Sequence, residues 1–289
     1  MASHLNGRAA RFITVSASAM VAMLAIPAAA EECLLDDATV QGATGTGTGA
    51  LACGTDAAAN GEGSLALGSE ASAEGVDATA IGYEAVATGN STVALGGESV
   101  ATTPGATALG WQSQATGAMG TAVGHQTTAS GDQSFAGAED AVASGSNAIA
   151  IGNTALAEGG DAIAIGGNRD GAMGAPTVAS GPSTTVVGGQ AQAMGPGATA
   201  YGWRAQATAE RATSLGHLAT AQGVRSVAVG ENADAQTDNA TAIGNEAIAN
   251  GIDALAVGDT AVAMGNSTTA VGGESVATTP GATALGWQS

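Results

Sequence analysis

The 289-residue chain carries 25 carboxylates against six arginines and no lysine, a formal net charge of −19, and only 2 % of its residues are aromatic. Aromatic residues are too few to build a conventional core of large side chains. The missing lysine excludes a Walker-type phosphate loop and Schiff-base chemistry, and the acidic excess argues against nucleic acid, whose phosphates need the opposite sign.

Residues 1–30 read as a secretory signal peptide. Arg8 and Arg11 precede an apolar stretch from Phe12 to Ile26, and Pro27-Ala28-Ala29-Ala30 follows, so cleavage is expected before Glu31. The apolar stretch runs for about 15 residues, short of the roughly 20 that a membrane span requires. Removing its two arginines leaves four against 25 carboxylates, an acidic excess of 21. Residues 31–59 are expected to form a lead-in containing Cys33 and Cys53. In an exported chain an oxidising compartment favours a disulfide between them, closing a loop of about 20 residues. Free or intermolecular thiols are the alternative. The Gly-Thr run over 42–49 reads as a flexible lead-in or a first irregular coil.

From residue 60 to residue 289 one small unit repeats. A glycine recurs every 14 residues from Gly68 to Gly124, at Gly152 and Gly166, and from Gly188 to Gly286. Only Ala138 breaks this row, and one slip of 22 residues, 14 plus eight, accommodates an insertion near 167–174. A short fixed period is the signature of a solenoid, in which each coil touches only its neighbours and function spreads over a surface. The residue before the row glycine is aliphatic at Leu67, Ile81, Leu95, Leu109, Val123, Ile151, Ile165, Val187, Leu215, Val229, Ile243, Val257, Val271 and Leu285, with Gly137 and Tyr201 as exceptions. The residue one further back is small, so the pattern has period two and predicts a strand with one small and one larger face.

Five residues after the row glycine the side chain is always alanine, from Ala73, Ala87 and Ala101 onward. A position restricted to a methyl group predicts a crowded, very thin interior. Seven after, glycine returns in most coils, as at Gly75, Gly89 and Gly117. Such a glycine serves a turn that needs either a positive φ or close backbone approach. Each coil is therefore expected to run strand, turn, strand, turn. A methyl row buries too little area to offset the ordering of a whole coil. The aliphatic row is therefore expected on an outer face covered by identical chains, with a monomeric solenoid as the alternative.

The run Asn147-Ala148-Ile149-Ala150-Ile151-Gly152-Asn153-Thr154-Ala155-Leu156-Ala157-Glu158-Gly159 resembles the head repeats of YadA-like trimeric autotransporter adhesins. The resemblance implies an all-β, left-handed parallel β-roll of 14-residue coils, three chains packed side by side, and attachment to host matrix proteins, host cells or other bacteria. It places the aliphatic row at the trimer axis and turns the residue four after each glycine (Ser72, Val86, Gln114, Gln206, Asp234) outward. Whole members of that family continue into a neck, a stalk and a membrane-anchoring barrel. This chain stops inside a coil at Trp287-Gln288-Ser289 and is expected to be a partial product. The whole protein would sit on the outer membrane, and this chain alone would be secreted or periplasmic.

A longer period overlies the short one. After successive row glycines the residues Gly97, Trp111, His125, Glu139 and Asn153 are matched by Gly189, Trp203, His217, Glu231 and Asn245, and Gly273 and Trp287 begin again. Two readings stand: duplicated blocks carrying inherited residues, or a repeated ligand contact centred on Trp111, Trp203 and Trp287. Arg169 and Asp170, in the insertion, are further contact candidates because loops on rigid scaffolds often carry binding. His125 and His217 lie several coils apart and are read as solvated turn residues. The scattered carboxylates are read as a solubilising surface, and no catalytic, metal or cofactor site is expected. A second function stays open: threonine occupies the position three before the glycine in many coils, including Thr79, Thr107, Thr121 and Thr185, and a flat threonine face on a monomer would suit ice or another extended surface.

Overall fold

The computed structural model describes residues 31–32, 42–168 and 174–289, and the signal peptide expected at 1–30 lies outside them. Strands and turns make up the described residues, with no helix among them. Each coil gives a three-residue strand just before the row glycine and a two-residue strand four residues after it, as in Leu65–Leu67 and Ser72–Ala73, then Thr79–Ile81 and Val86–Ala87. The longer strands stack in parallel, Leu65 against Thr79 and Leu67 against Ile81, and the shorter ones do the same, Ser72 against Val86 and Ala73 against Ala87. The result is a parallel β-solenoid of about 17 coils. At about 4.8 Å per coil it is a rod on the order of 80 Å long.

The insertion leaves the ladders intact. Leu156 still pairs with Val178 and Ile163 with Thr185, so the extra residues leave the coil between strands. The stack begins earlier than residue 60. Thr44 pairs with Ala58, Leu51 with Leu65, and Glu31 with Leu51, which makes part of the expected 31–59 lead-in solenoid already. Gly54 carries the same backbone conformation as the row glycines that follow, φ 134°.

The inside of each coil holds four small side chains. Ala66, Ala71, Ala73 and Ala78 are fully buried, and the same four positions recur along the rod. At several of the inward positions where serine or threonine replaces alanine, its hydroxyl donates to the turn carbonyl three residues back: Thr92 to Gly89 at 2.7 Å, Ser99 to Gly96 at 2.8 Å and Thr268 to Gly265 at 2.6 Å, whereas the Ser64, Ser134, Ser214 and Ser226 hydroxyls are buried without such a partner. A hydroxyl is accepted there because a backbone acceptor offsets its loss of water. Val186 is the largest fully buried side chain among the described residues.

The two kinds of glycine do different jobs. The row glycines have φ between 115° and 150°, and a Cβ on Gly82 would strike the carbonyl of Gly96 in the next coil. Those seven residues later have no positive φ, but a Cβ on Gly75 would strike the carbonyl of Gly89. Close approach is therefore their reason. Where threonine stands there instead, its hydroxyl bonds the next coil's glycine: Thr103 donates to the Gly117 carbonyl at 2.6 Å, and Thr237 accepts from the Gly251 N–H at 3.0 Å.

At Ala138 the row changes its solution. Ala138 sits at φ 86°, a left-handed value. The preceding Gly137 takes the place of the usual aliphatic residue, and the Phe135 ring lies over it, Cε1 3.0 Å from where a Cβ would be. A left-handed non-glycine residue costs about 1–2 kcal/mol. Replacing Ala138 with glycine is therefore expected to raise thermal stability by about 1 kcal/mol. Gly230→Ala, which adds a steric clash to a φ of 131°, is expected to lower it by about 2 kcal/mol or more. Thermal denaturation followed by circular dichroism checks both, and equal melting of Gly230→Ala and the parent chain would refute the packing argument.

Candidate functional site

The rod offers two outer faces and two turn rims. On the outside of the longer ladder, the residues three and one before each row glycine form two columns, because the residue between them points inward. The inner-column side chains Thr79, Thr107, Thr121 and Thr185 are half-buried, whereas Leu67, Leu95, Ile151, Leu215 and Ile243 are 39–44 % exposed. Aliphatic and threonine columns thus share one face. Tyr201 interrupts the aliphatic column with an exposed phenol ring. On the shorter ladder the residues four after each glycine, such as Val86, Gln114 and Asp234, lie outward and partly exposed.

One rim carries the Gly-Trp-His-Glu-Asn series, and stacking puts its members in contact. Trp111 and His125 stack with ring centroids 4.8 Å apart, and Trp203 and His217 do so at the same distance. His125 Nδ1 lies 3.7 Å from Glu139 Oε1 and His217 Nδ1 lies 3.3 Å from Glu231 Oε1. Asn153 donates to Glu139 at 3.1 Å, and Asn245 donates to Asp259 at 2.9 Å. The glycine that opens the series is part of the same device. A Cβ on Gly97 would lie 3.3 Å from Trp111 Cδ1, and one on Gly189 would lie 3.5 Å from Trp203 Cδ1. The Trp111 and Trp203 indoles therefore each lean across a glycine in one neighbouring coil and stack on a histidine in the other, and Trp287 leans across Gly273 in the same way. This gives the repeated series a packing reason that inherited duplication alone does not supply.

The copies differ in one respect that sequence reading missed. Arg204 lies over Trp203, its Cζ 4.4 Å from the ring centroid, and its Nε donates to Gln190 at 2.6 Å. At the equivalent positions of the first copy stand Gln112 and Glu98, bonded to each other at 2.7 Å, and Gln126 donates to Gln112 at 2.9 Å. Gln288 and Glu274 repeat that bond at 2.8 Å. The signal was present in the sequence as the paired change from Glu98 and Gln112 to Gln190 and Arg204. Trp111 and Trp287 are exposed, while Trp203 is only partly so. Two coils before Trp111, the Tyr83 phenol is pushed up from 10.0 to about 12, first by its hydrogen bond to the Glu84 carboxylate and that group's charge, with smaller contributions from burial and from Glu70 and Glu98.

The other candidates separate. Cys53 is disulfide-bonded, and the chain's one other cysteine, Cys33, lies outside the described residues, as do Arg169 and Asp170. No helix among the described residues is long and apolar enough to cross a membrane.

The rod displays its chemistry on faces and rims. The YadA head domain repeat matches the chain in twelve stretches, beginning at 46–71 and ending at 263–289, which together cover most of it. The chain belongs to the YadA head repeat family, an adhesin family whose β-solenoid is not an enzymatic kind. No curated protein matches it.

Two outcomes follow from this geometry. His217→Ala should cost about 0.5–1.5 kcal/mol, the worth of an aromatic pair, and shift the tryptophan emission to the red; an unchanged spectrum and melting curve would return the series to mere inheritance. Intact-mass measurement of the exported chain should show alkylation of both cysteines only after reduction, whereas labelling before reduction would exclude a Cys33 to Cys53 bridge.

Proposed function

We propose that the chain is the adhesive head of a cell-surface adhesin, working as a homotrimer and attaching its bacterium to host extracellular matrix, host cells or other bacteria. The observation that carries this is the exposed or half-exposed aliphatic column that recurs along the rod, interrupted at Gly137 and Tyr201, while the inward positions are already filled by small side chains. Covering the exposed part of one such side chain is worth about 1 kcal/mol. Summed along the coils this is enough to hold long rods side by side, and the rims and the shorter ladder's outer face remain for contact with a target. Family membership supports the trimer, the left-handed winding, the surface location and the adhesive role. Export through residues 1–30 fits the same reading.

A second reading rests on the threonine column beside the aliphatic one. A monomer would leave both to solvent as a flat face for ice. Light scattering on a size-exclusion column separates the two for residues 31–289. The expected result is a trimer that binds matrix-coated plates and that loses both assembly and binding with Leu95→Glu and Ile243→Glu together. A stable, fully folded monomer would overturn the trimer and move the ice-facing reading forward.

A further inference from the structure

We propose that the rim at Trp111 is a binding site for the guanidinium of an arginine on a protein partner, and that Trp287 repeats it. The chain contains its own template for the contact. In the second copy of the series, the Arg204 guanidinium already lies on the Trp203 indole, Cζ 4.4 Å from the ring centroid, anchored through Nε to Gln190 at 2.6 Å. A cation over an indole is the strongest pairing of its kind, and arginine is the commonest cation to make it.

At Trp111 the same platform is built without its cation. The indole leans over Gly97 and is backed by His125, as Trp203 is by Gly189 and His217. Gln112 stands where Arg204 stands, but its amide is drawn back to Glu98 Oε2 at 2.7 Å and held by Gln126 at 2.9 Å. The indole therefore stays open, 44 % exposed. Glu98 stands where Gln190 stands, so a neutral anchor has become an anionic one, and its Oε1 takes no hydrogen bond from another described residue. Between Arg11 and Arg169 the chain has no arginine or lysine to fill the position itself. Glu70 and Glu84 extend the negative charge along the rim, in line with the raised Tyr83 phenol. An arriving guanidinium would stack on the indole and bond Glu98 Oε1, recreating the second copy's contact with full charge complementarity. Gly273, Glu274, Trp287 and Gln288 repeat the open arrangement.

The inference concerns a turn rim and not the aliphatic column. The test is calorimetric titration of the full chain with acetylated tri-arginine amide, using tri-citrulline, its uncharged isostere, as control. Tri-arginine should bind and tri-citrulline should not, and Trp111→Ala with Trp287→Ala should weaken binding about fivefold. Two exchanges test the template directly. Glu98→Gln with Gln112→Arg should close the first site, and Arg204→Gln, which keeps the buried Gln190, should uncover Trp203 and open an additional one, each leaving the fold unchanged by circular dichroism. Equal binding of tri-citrulline, undiminished binding without the two tryptophans, or unchanged stoichiometry after both exchanges would overturn the proposal. A chain that binds tri-arginine as described but adheres to no matrix would count against the adhesive reading alone.

Discussion

The constraint on which the structure depends is the direct stacking of each residue on its counterpart in the next coil. Backbone bonds enforce it on both sides of a coil: Gly82 donates to Leu67 at 2.8 Å and Ser72 to Ala85 at 2.8 Å. Because the bonds repeat without change of register, every position becomes a column. A column tolerates only what can stand on its own copy at about 4.8 Å. Inside the roll that means small groups, and at two corners it means glycine in most coils, because the carbonyl of the next coil occupies the Cβ position. On the outside, polar columns can bond along themselves. Asn90 and Asp132 each accept the backbone N–H of the residue one coil earlier, and Asn147 donates to Asp161.

This explains what the sequence revealed. The 14-residue glycine row, the invariant alanine and the aliphatic column were legible because each reflects a steric demand repeated in nearly every coil, and repetition is the one signal a single sequence amplifies. The turn chemistry was not legible in the same way. The turns contain left-handed residues of many types, Glu70, Asp77, Glu84 and Asn147 with φ between 52° and 58° and, at the equivalent turn position of other coils, Gly63, Gly105 and Gly197. A conformation met by many residue types leaves no column in the sequence. The coils before residue 60 were less legible for a related reason: Leu51-Ala52-Cys53-Gly54 follows the rule, but its neighbouring Gly-Thr run hides the alternation on which the strand assignment relied.

The rim shows where columnar logic gives way to pairwise logic. Identical tryptophans in consecutive coils would collide or stack without room for their width, so the indole is set between a glycine and a histidine. The charged partners obey the same rule, since like charges at one-coil spacing repel. His125 stands next to Glu139, and Arg204 next to Gln190, whereas Glu70, Glu84 and Glu98 follow one another in a column with no arginine or lysine of its own. That column is electrostatically unfinished in a way the Arg204 arm is not.

Pairwise logic also accounts for the longer period. A single coil carrying Trp111 cannot be copied alone, because the new neighbour would present either a side chain where Gly97 leaves space or no ring where His125 supplies one. The smallest block that carries its contacts with it includes the coils of Gly97, Trp111, His125 and Glu139, and Asn153 extends it by one more hydrogen bond. Duplication of long blocks is thus favoured by stacking itself. Within a copied block, freedom remains at positions that point off the rim, and the exchange of Glu98 and Gln112 for Gln190 and Arg204 used it. A change of two residues there leaves the platform standing and decides only whether its face is covered from within the chain or left open.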